Sequence, residues 1–379
     1  MRKLKIGITC YPTVGGSGVL ATELGKMLAE RGHEIHFITS SMPFRLNRMY
    51  PNIFFHEVDV NQYSVFQYPP YDIALASKIA EVVKEQQINV MHVHYAIPHA
   101  VCAALARNMS DVDFGVVTTL HGTDITVLGQ DSSMVKPIKY GIEASDIVTA
   151  VSTALKEQTY ALIPTEKDIE TVYNFVDERV YKPVDVGNLR AQFGIRDDEK
   201  VLIHVSNFRK IKNVDHIVEA FMRVRKEMPA KLLLVGDGPE MNRIMQMVKE
   251  TLYKEDVLFL GRQDNLSELY SMSDLMLLLS SKESFGLVLL EAMACGVPGI
   301  GTNIGGIPEV IEHGKTGFIV EEGDVEAVAK HAVALLCDEP RLAQFKAHAK
   351  ETVATRFSSA SIVEQYEALY DKVAVWHDK

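Results

Sequence analysis

Short apolar runs alternate with amphipathic helical patterns along the chain, and this alternation is the strongest constraint on its fold. In the first half the apolar runs predict strands at residues 5–10, 34–39, 54–58, 90–94, 115–120 and 147–151. Helical patterns fall between them, at residues 19–31, 74–86, 98–107, 135–144 and 153–162. Strands that are separated by helices pair in parallel, so the pattern predicts a sheet that helices cover on both faces.

The alternation begins again near residues 163–171. The second set predicts strands at residues 169–174, 201–206, 231–235, 257–260, 275–279, 298–302 and 318–320. With 379 residues the chain exceeds the size at which one core usually stops growing. We therefore expect an α/β protein with two Rossmann-like, doubly wound domains, at residues 1–166 and 167–360. Such domains bind ligands at the carboxyl ends of their strands, so we expect these ends to face each other across a cleft.

Charge and composition exclude several functions. The chain has 39 Lys and Arg against 50 Asp and Glu, a net charge of −11, which argues against a broad nucleic-acid or membrane surface. No run approaches the roughly 18 apolar residues of a membrane span, and the basic N-terminus reads as a strand rather than a signal peptide. The four cysteines are scattered without a CxxC pair, so a disulfide framework or zinc ribbon is not expected. We expect a soluble cytoplasmic protein.

Residues 274–310 carry the most informative local pattern. They predict a strand, a polar loop over residues 280–284, a helix over 285–295, a second strand and a loop with two glycines. Glu283 lies in the polar loop, and Glu291 lies among helix residues that could all be core, where a charge needs a partner. Backbone amides at the start of this helix favour an anion.

Eight residues of helix span about 12 Å, enough to bracket a diphosphate with hydroxyl-bearing groups at both ends. The arrangement suits a nucleotide diphosphate-sugar. A structural alternative stays open, in which Glu283 is favoured by the helix dipole and Glu291 extends to the surface.

Two segments of the first half follow predicted strands. VGGSG at residues 14–18 opens the first helix, where glycines let a ligand approach the backbone. Its spacing is not G-x-G-x-x-G, and Thr39 stands where a nicotinamide-binding unit would carry an acidic residue, so we interpret an anion-binding loop without NAD. HGTD at residues 121–124 places His121 where it can donate to a sugar hydroxyl. A tight turn and a histidine satisfied by loop carbonyls are the respective alternatives.

His92 and His94 flank one residue on a predicted strand, and Tyr95 follows them. A metal would need a third ligand, which is not evident nearby, so packing histidines are favoured. Tyr95, at the carboxyl end of the strand, is better placed to contact a ligand.

The second half contributes a basic turn, SNFRKIK at residues 206–212, directly after a strand. Three cations within four residues repel one another unless an anion lies beside them, although charge runs are usually solvated turns. GDGPE at residues 236–240 forms another strand-end turn and favours the phosphate interpretation.

These motifs together resemble the GT4 family of retaining glycosyltransferases, which have the GT-B fold. The resemblance rests on GGSG (15–18), HGTD (121–124), the basic turn, GDGPE (236–240) and a pair of glutamates eight residues apart, in family order over nearly the whole chain. The segments KIGITCYPTVGGSG, HVHYAIPHA, TTLHGTDITVLG and ESFGLVLLEAMACGVPGIGTNIGGIPEV further resemble members that act in bacillithiol biosynthesis.

The resemblance implies transfer of N-acetylglucosamine from UDP-N-acetylglucosamine to the hydroxyl of L-malate, with retained configuration and without metal or other cofactor. Glu283 would hold sugar hydroxyls, His121 would contact the sugar near the reacting carbon, and Glu291 would hold the ribose. Arg209 and Lys212 would neutralise the departing diphosphate. The remaining donor-side candidates are Gly16, Ser17, Asn207, Gly236, Gly261, Arg262, Ser284, Phe285, Gly286 and Leu287. The final helix, 361–379, would pack back on the first domain.

The chain departs from the family at the basic turn. Ser206 and Asn207 stand where many relatives carry glycine and arginine, so either Arg209 or Lys210 supplies the missing charge. Malate has two carboxylates and needs cations or hydrogen-bond donors. Candidates for the acceptor are Tyr95, Thr118, Thr123, Lys136 and Asn174, with Arg45 as a further one.

Other functions stay open. They are a GT4 transferase with another acceptor (an inositol phosphate, a lipid or a polysaccharide), a UDP-sugar epimerase, and a nucleotide-sugar-binding protein without turnover. A dehydrogenase is disfavoured by Thr39. We expect UDP-sugar and a small dicarboxylate as partners, no nucleic acid and no membrane; a homo-oligomer is compatible with the sequence.

Overall fold

A computed structural model describes residues 2–12, 16–43, 45–46, 49–60 and 67–377, and it divides into two units. The first unit comprises Met1–Asn174 and Ala360–Lys379, and the second comprises Phe175–Ser359. Among the described residues, no helix has the length and apolar character needed to cross a membrane. Val14 and Gly15 of the glycine motif lie outside the described residues.

The first unit is built on a seven-stranded parallel sheet with the order β3-β2-β1-β4-β5-β6-β7. Its strands are β1 Lys5–Thr9, β2 Glu34–Thr39, β3 Ile53–Glu57, β4 Val90–His94, β5 Gly115–Leu120, β6 Ile147–Ala150 and β7 Ile169–Thr171. Its helices are α1 Gly16–Glu30, α2 Tyr71–Gln86, α3 Val101–Met109, α4 Ser132–Ala144 and α5 Thr153–Leu162, joined at the end of the chain by α14 Ser359–Val373. Every residue of β4 and β5 is buried, as expected of central strands covered on both faces.

The second unit is built on a six-stranded parallel sheet with the order β10-β9-β8-β11-β12-β13. Its strands are β8 Lys200–Ser206, β9 Ala230–Gly236, β10 Val257–Gly261, β11 Leu275–Leu278, β12 Gly299–Thr302 and β13 Gly317–Val320. Its helices are α6 Leu189–Gln192, α7 Val214–Glu227, α8 Met241–Lys249, α9 Leu266–Ser271, α10 Leu287–Ala294, α11 Ile307–Val310, α12 Val325–Leu336 and α13 Glu339–Arg356. Side chains of β8, β9 and β11 pack against α7 and α12 in one apolar core.

One predicted strand belongs to the other domain. The sequence pattern places the strand at residues 169–174 in the second domain, but β7 pairs in parallel with β6, and Ala150 lies opposite Thr171. The change from one unit to the next therefore comes after Asn174, not after residue 166. Strand–helix alternation gives the position of a strand but not the sheet that it joins, and β7 continues the first pattern without a break.

Helix α14 packs on the first unit through buried polar contacts. The hydroxyl of Tyr370 lies 2.7 Å from Nδ1 of His92, and Glu367 lies 3.0 Å from Nε2 of His33. Arg31 also donates to Glu367, at 2.9 Å. These contacts tie the last helix to β4 and to the end of α1.

In both sheets the order of the strands reverses at the centre. The order reverses between β1 and β4 in the first sheet, and between β8 and β11 in the second. Doubly wound proteins bind ligands outside the carboxyl ends of the strands at such a reversal. The first-domain edge, here residues 94–99 and 121–124, and the second-domain edge, here residues 206–213 and 279–287, are therefore the places to look for a site.

Candidate active site

An ion pair joins the two loops of the second-domain edge. The Nζ of Lys212 lies 2.7 Å from Oε2 of Glu283, and both side chains are mostly buried, at 17% and 16% exposed. Two hydrogen bonds hold the same loops together: the backbone amide of Ser281 donates to the carbonyl of Ile211, and the side-chain amide of Asn213 donates to that of Leu279. The pair is thus fixed at the strand ends, where a ligand can reach it.

Glycines hold Glu283 in place from the other side. Gly305 has φ +53°, and a Cβ there would lie 1.8 Å from the Glu283 carbonyl oxygen. The amide of Gly306 donates to that oxygen at 3.2 Å. The glycine loop noted in the sequence therefore packs against the backbone of the glutamate loop, and a larger side chain at Gly305 would displace Glu283.

Helix α10 begins two residues later than the sequence predicts. Gly286 adopts φ +94° at the N-cap, so Phe285 and Gly286 precede the helix and its first residue is Leu287. Phe285 is buried and packs edge-on against Phe357, with ring centres 5.7 Å apart. The predicted helix start at Phe285 is therefore wrong, because a left-handed Gly286 and a buried ring turn the chain before the first helical turn.

Glu291 has a partner that the sequence did not suggest. The hydroxyl of Tyr270 on α9 donates to Oε2 of Glu291 at 3.0 Å, and Glu291 is only 4% exposed. Burial and the nearby carboxylate raise the pKa of Tyr270 well above its usual value. Tyr270 therefore stays a hydrogen-bond donor, which satisfies the requirement that a buried carboxylate be paired. The apolar pattern of α9 gives no sign of this contact.

The cations of the basic turn lie in different environments. Arg209, Lys210 and Asn207 are exposed, whereas Lys212 is turned toward Glu283. The Ser206 hydroxyl lies 2.8 Å from Nε2 of His204. Only Lys212 is thus held in a defined place at the second-domain edge; Arg209 and Lys210 extend to solvent.

The two strand-end turns of β8 and β9 pack backbone to backbone. A Cβ on Gly236 would lie 1.8 Å from the Ser206 carbonyl oxygen, and one on Gly238 would lie 2.0 Å from that of Asn207. Gly236 also has φ +122°. These glycines are required for the close approach of the turns, whatever they do for a ligand.

Two further donor-side candidates, Gly261 and Arg262, lie at the carboxyl end of β10. Gly261 has φ +62° and nothing within 4 Å of an added Cβ. Arg262 is 73% exposed in its side chain, with Nε 3.9 Å from Oδ2 of Asp237. The strand end is open here, so contact between Arg262 and a ligand would require the side chain to turn from solvent.

A row of imidazoles lines the first-domain edge. His94, the last residue of β4, places Nδ1 2.8 Å from Nε2 of His121, which follows β5. His92 stacks on His94 with ring centres 4.4 Å apart. Both nitrogens of His92 are engaged, with the Tyr370 and Thr119 hydroxyls, each at 2.7 Å. His92 therefore packs within the domain, while His121 stands at its border.

Burial keeps these histidines neutral. It lowers the pKa of His92 and of His121 to about 3 and that of His94 well below its usual value, and neighbouring imidazoles lower it further. Desolvation likewise lowers the pKa of His99 to about 4. A neutral imidazole donates from one nitrogen and accepts at the other, so this edge offers directed hydrogen bonds rather than charge.

Asp124 of the HGTD motif organises the turn. It is buried, and its carboxylate accepts from the backbone amides of Ala96 and Gly122, each at 3.0 Å. Burial raises its pKa to about 6, and these amides oppose the shift. Asp124 thus connects the β4 and β5 ends, a structural role that the motif alone did not reveal.

Tyr95 links the first-domain edge to helix α1. Its hydroxyl lies 2.7 Å from that of Ser17, and its backbone has φ +88°, which is rare for a residue with a side chain. Gly16, the first residue of α1, is exposed. Tyr11 completes the surface: its half-exposed ring lies 5.6 Å from that of Tyr95 and 4.7 Å from that of His99. Nothing in the sequence pattern singled out Tyr11.

The acceptor candidates fall into different environments. Thr118 is fully buried and its hydroxyl lies 2.7 Å from that of Ser145, so it faces the interior of the domain and cannot contact a ligand at the strand end. Thr123 and Lys136 are exposed, and Arg45 is half-buried. Asn174 is buried, and its Oδ1 has no hydrogen-bond partner among the described residues.

Solved structures share the fold of this chain. A glycosyltransferase from Rickettsia africae ESF-5 superposes with a TM-score of 0.83 at 22% identity, covering 98% of this chain and 99% of that one. Anabaena HepE in complex with UDP and glucose gives 0.82 at 21% identity, covering 97% and 99%. At such low identity the likeness is one of fold. Two Rossmann-like domains in tandem, shared with these structures, are the GT-B fold.

Sequence relatives identify the family. The family model of Glycosyltransferase Family 4 matches residues 14–180, and that of Glycosyl transferases group 1 matches residues 185–352. The chain belongs to the GT4 glycosyltransferases. It is 62% identical over 368 residues, 97% of each chain, to the N-acetyl-alpha-D-glucosaminyl L-malate synthase of Bacillus anthracis.

Proposed function

We propose that this enzyme transfers N-acetylglucosamine from UDP-N-acetylglucosamine to the hydroxyl of L-malate with retained anomeric configuration, the first step of bacillithiol biosynthesis. The observation that carries the proposal is the 62% identity to the Bacillus anthracis synthase over 97% of both chains. The charged pair at the second-domain edge supports it, because a nucleotide diphosphate-sugar presents hydroxyls and phosphates that such a pair can bind.

Glu283 and Lys212 bind the two halves of the donor in this proposal. The carboxylate of Glu283 accepts hydrogen bonds from sugar hydroxyls. The ammonium of Lys212 has three donors, so it can maintain its ion pair with Glu283 while it also contacts a phosphate oxygen. Their separation of 2.7 Å in the structure brings both functions to one point. Ser284, Phe285, Gly286 and Leu287 lead into α10, whose first amides favour the diphosphate.

In the same proposal, Glu291 binds the uridine end of the donor. Tyr270 occupies one carboxylate oxygen, and a carboxylate has further lone pairs for ribose hydroxyls. Gly236, Gly261 and Arg262 border the strand ends on this side, and Arg209, Lys210 and Asn207 can reach the phosphates from solvent. Gly16 and Ser17 at the start of α1 provide amides for the diphosphate or the acceptor.

In the reaction the bond between the anomeric carbon and the diphosphate oxygen breaks, and the malate hydroxyl oxygen bonds to the same face of that carbon. The hydroxyl proton passes to the departing diphosphate. Lys212, Arg209 and the α10 amides stabilise the charge that develops on the leaving group, so we propose that no metal is needed. Activity that persists in excess EDTA is the expected result.

The acceptor is bound by polar groups of the first unit. Tyr95, Thr123, Lys136 and Asn174 remain candidates after Thr118 is set aside. Lys136 is the cation among them, and a dicarboxylate needs at least one. Asn174 is buried, and its Oδ1 has no partner among the described residues, so its side-chain amide is free to hydrogen-bond to the acceptor.

Release of UDP from UDP-N-acetylglucosamine tests the proposal, with L-malate, D-malate, an inositol phosphate or no acceptor. We expect release only with L-malate, and an α-glycoside in the product. Release with another acceptor would keep the transferase and discard the malate pocket. Absence of release with every acceptor would favour a UDP-sugar epimerase or a binding protein without turnover.

A further inference from the structure

Two neutral histidines share a hydrogen bond at the first-domain edge. His94 is fully buried, and its Nδ1 lies 2.8 Å from Nε2 of His121. One proton lies between these nitrogens, so one ring donates and the other accepts. Which ring donates decides what His121 can offer through its other nitrogen, Nδ1.

The two arrangements differ in what they leave inside the domain. Nε2 of His94 is buried and has no hydrogen-bond partner among the described residues. If His121 donated, a neutral His94 would carry its proton on this nitrogen, as a buried N–H without an acceptor. If His94 donates, the same nitrogen is a bare lone pair. Orphaned buried N–H groups are the rarer of the two in folded proteins.

His99 shows that this cluster tolerates a bare nitrogen. Its Nδ1 contacts the carbonyl oxygen of His94, which only accepts, so Nδ1 must carry the proton. Nε2 of His99 is also buried without a partner, and the low pKa of the ring makes it a bare lone pair. If His94 donates from Nδ1, its Nε2 is a buried nitrogen with a bare lone pair, as Nε2 of His99 already is.

We infer that His94 is a positioning residue: it donates from Nδ1 to Nε2 of His121 and holds His121 in the tautomer that carries its proton on Nδ1. The catalytic consequence rests on the proposed function. His121 then donates to an oxygen of the donor sugar, and it cannot take the proton of the acceptor hydroxyl, because Nε2 is occupied and Nδ1 is already protonated.

Nuclear magnetic resonance of the whole chain labelled with ¹⁵N-histidine reads the tautomer directly. Two-bond ¹H–¹⁵N correlations distinguish the two neutral tautomers, and His121→Asn assigns the signals. We expect the Nδ1–H form for His121 at neutral pH without substrate. The Nε2–H form would overturn the inference, and this measurement holds whether or not L-malate is the acceptor.

Two substitutions of His94 separate positioning from packing. In His94→Asn the side-chain amide takes the place of Nδ1 as a donor, so we expect an unchanged His121 tautomer and kcat within about threefold of the parent. In His94→Leu the donor is lost, so the His121 signals should shift toward the other tautomer. We expect kcat to fall about 10- to 100-fold with little change in KM for UDP-N-acetylglucosamine.

His92→Phe is the matched control, since it disturbs the same buried stack but does not contact His121. It should leave the tautomer unchanged. An equal loss of kcat in His94→Asn and His94→Leu, with the native tautomer in both, would contradict the positioning role. If His94→Leu does not fold, the parent spectrum and His94→Asn still decide. If no acceptor supports turnover, the proposed function fails while the tautomer result stands.

Discussion

The carboxyl ends of the strands carry different kinds of side chain in the two sheets. The first-domain edge is built from neutral, buried imidazoles such as His94 and from Tyr95, and burial keeps the pKa of its histidines low. The second-domain edge holds an ion pair between Lys212 and Glu283. The same doubly wound topology thus presents directed hydrogen bonds in one domain and charge in the other.

The two edges are also fixed by different means. Side chains hold the first, as in the 2.8 Å contact of His94 with His121 and the amide contacts of Asp124. Close backbone packing at glycines holds the second, as at Gly236 and Gly305. The first edge should therefore respond to changes of hydrogen bonding and of pH, and the second to loss of charge or addition of a Cβ.

Removal of charge from the second edge should have the largest effect. Lys212→Ala deletes the mostly buried cation that we propose stabilises the leaving diphosphate, and it leaves Glu283 without its ion-pair partner. We expect kcat/KM to fall about 10³-fold, the loss typical of a preorganised electrostatic group. Steady-state kinetics of UDP release measure it. The control is Lys210→Ala, an exposed cation two residues away, which should cost less than about threefold. If both variants lost the same activity, the position of the cation within the turn would not matter, and the turn would act only through its net charge.

Acid should destabilise the first domain more than the second. The pKa of His92 and His121 is lowered to about 3 and that of His99 to about 4, from 6.5. Below pH 6.5 the unfolded chain therefore binds protons that the folded domain does not, so the free energy of unfolding falls as the pH falls. Asp124 acts oppositely, because its pKa is raised to about 6 and its contribution is lost as pH rises through that value, but it is one group against several.

Trp376 reports on this domain alone. It is the single tryptophan, it belongs to the first unit, and the Arg2 guanidinium lies 3.7 Å from its ring centre. Urea unfolding followed by its fluorescence should show a lower midpoint at pH 5 than at pH 7. Circular dichroism, which also includes the second unit, should shift less. Identical midpoints at both pH values would contradict the neutral state of the buried histidines.

Loss of the Tyr270 hydroxyl should weaken donor binding moderately. Tyr270→Phe removes the 3.0 Å hydrogen bond that orients Glu291 and leaves packing intact. We expect KM for UDP-N-acetylglucosamine to rise about tenfold with kcat nearly unchanged, which is about 1.4 kcal/mol of binding free energy. Calorimetric titration with UDP measures the same loss, and the effect should disappear in a Glu291→Gln background if both residues act together. Exposed Tyr140→Phe serves as control.

Sequence reasoning was most successful where a pattern is local. GT4 membership, the GT-B fold and the alternation of strands and helices in both domains are confirmed. The roles predicted for Glu283, Lys212 and His121 stay predictions, although each residue does lie at a strand end. Periodicity and motif spacing together sufficed for this, because the strand ends of a parallel sheet follow directly from the strand positions.

Contacts between distant residues could not be predicted. The partner of Glu291 is a tyrosine 21 residues earlier, and that of His121 is a histidine 27 residues earlier on the adjacent strand. The sheet to which β7 belongs depends on its pairing with β6, which alternation does not encode. The sequence pattern does not predict the start of α10, because Gly286 adopts a left-handed conformation that a glycine permits but does not dictate.

The smallest effect on catalysis should come from Thr118, and it sharpens the comparison within the first domain. Thr118→Val removes a buried hydroxyl that bonds to Ser145, so we expect about 1 kcal/mol less stability and no change in KM for L-malate. Thr123→Val is the matched variant, because this threonine is exposed at the turn beside His121. It should raise KM for L-malate several-fold and leave stability unchanged. Urea unfolding and acceptor kinetics on both variants check the pair. If Thr118→Val raised KM for L-malate more than Thr123→Val, the acceptor would bind deeper in the domain than the strand ends.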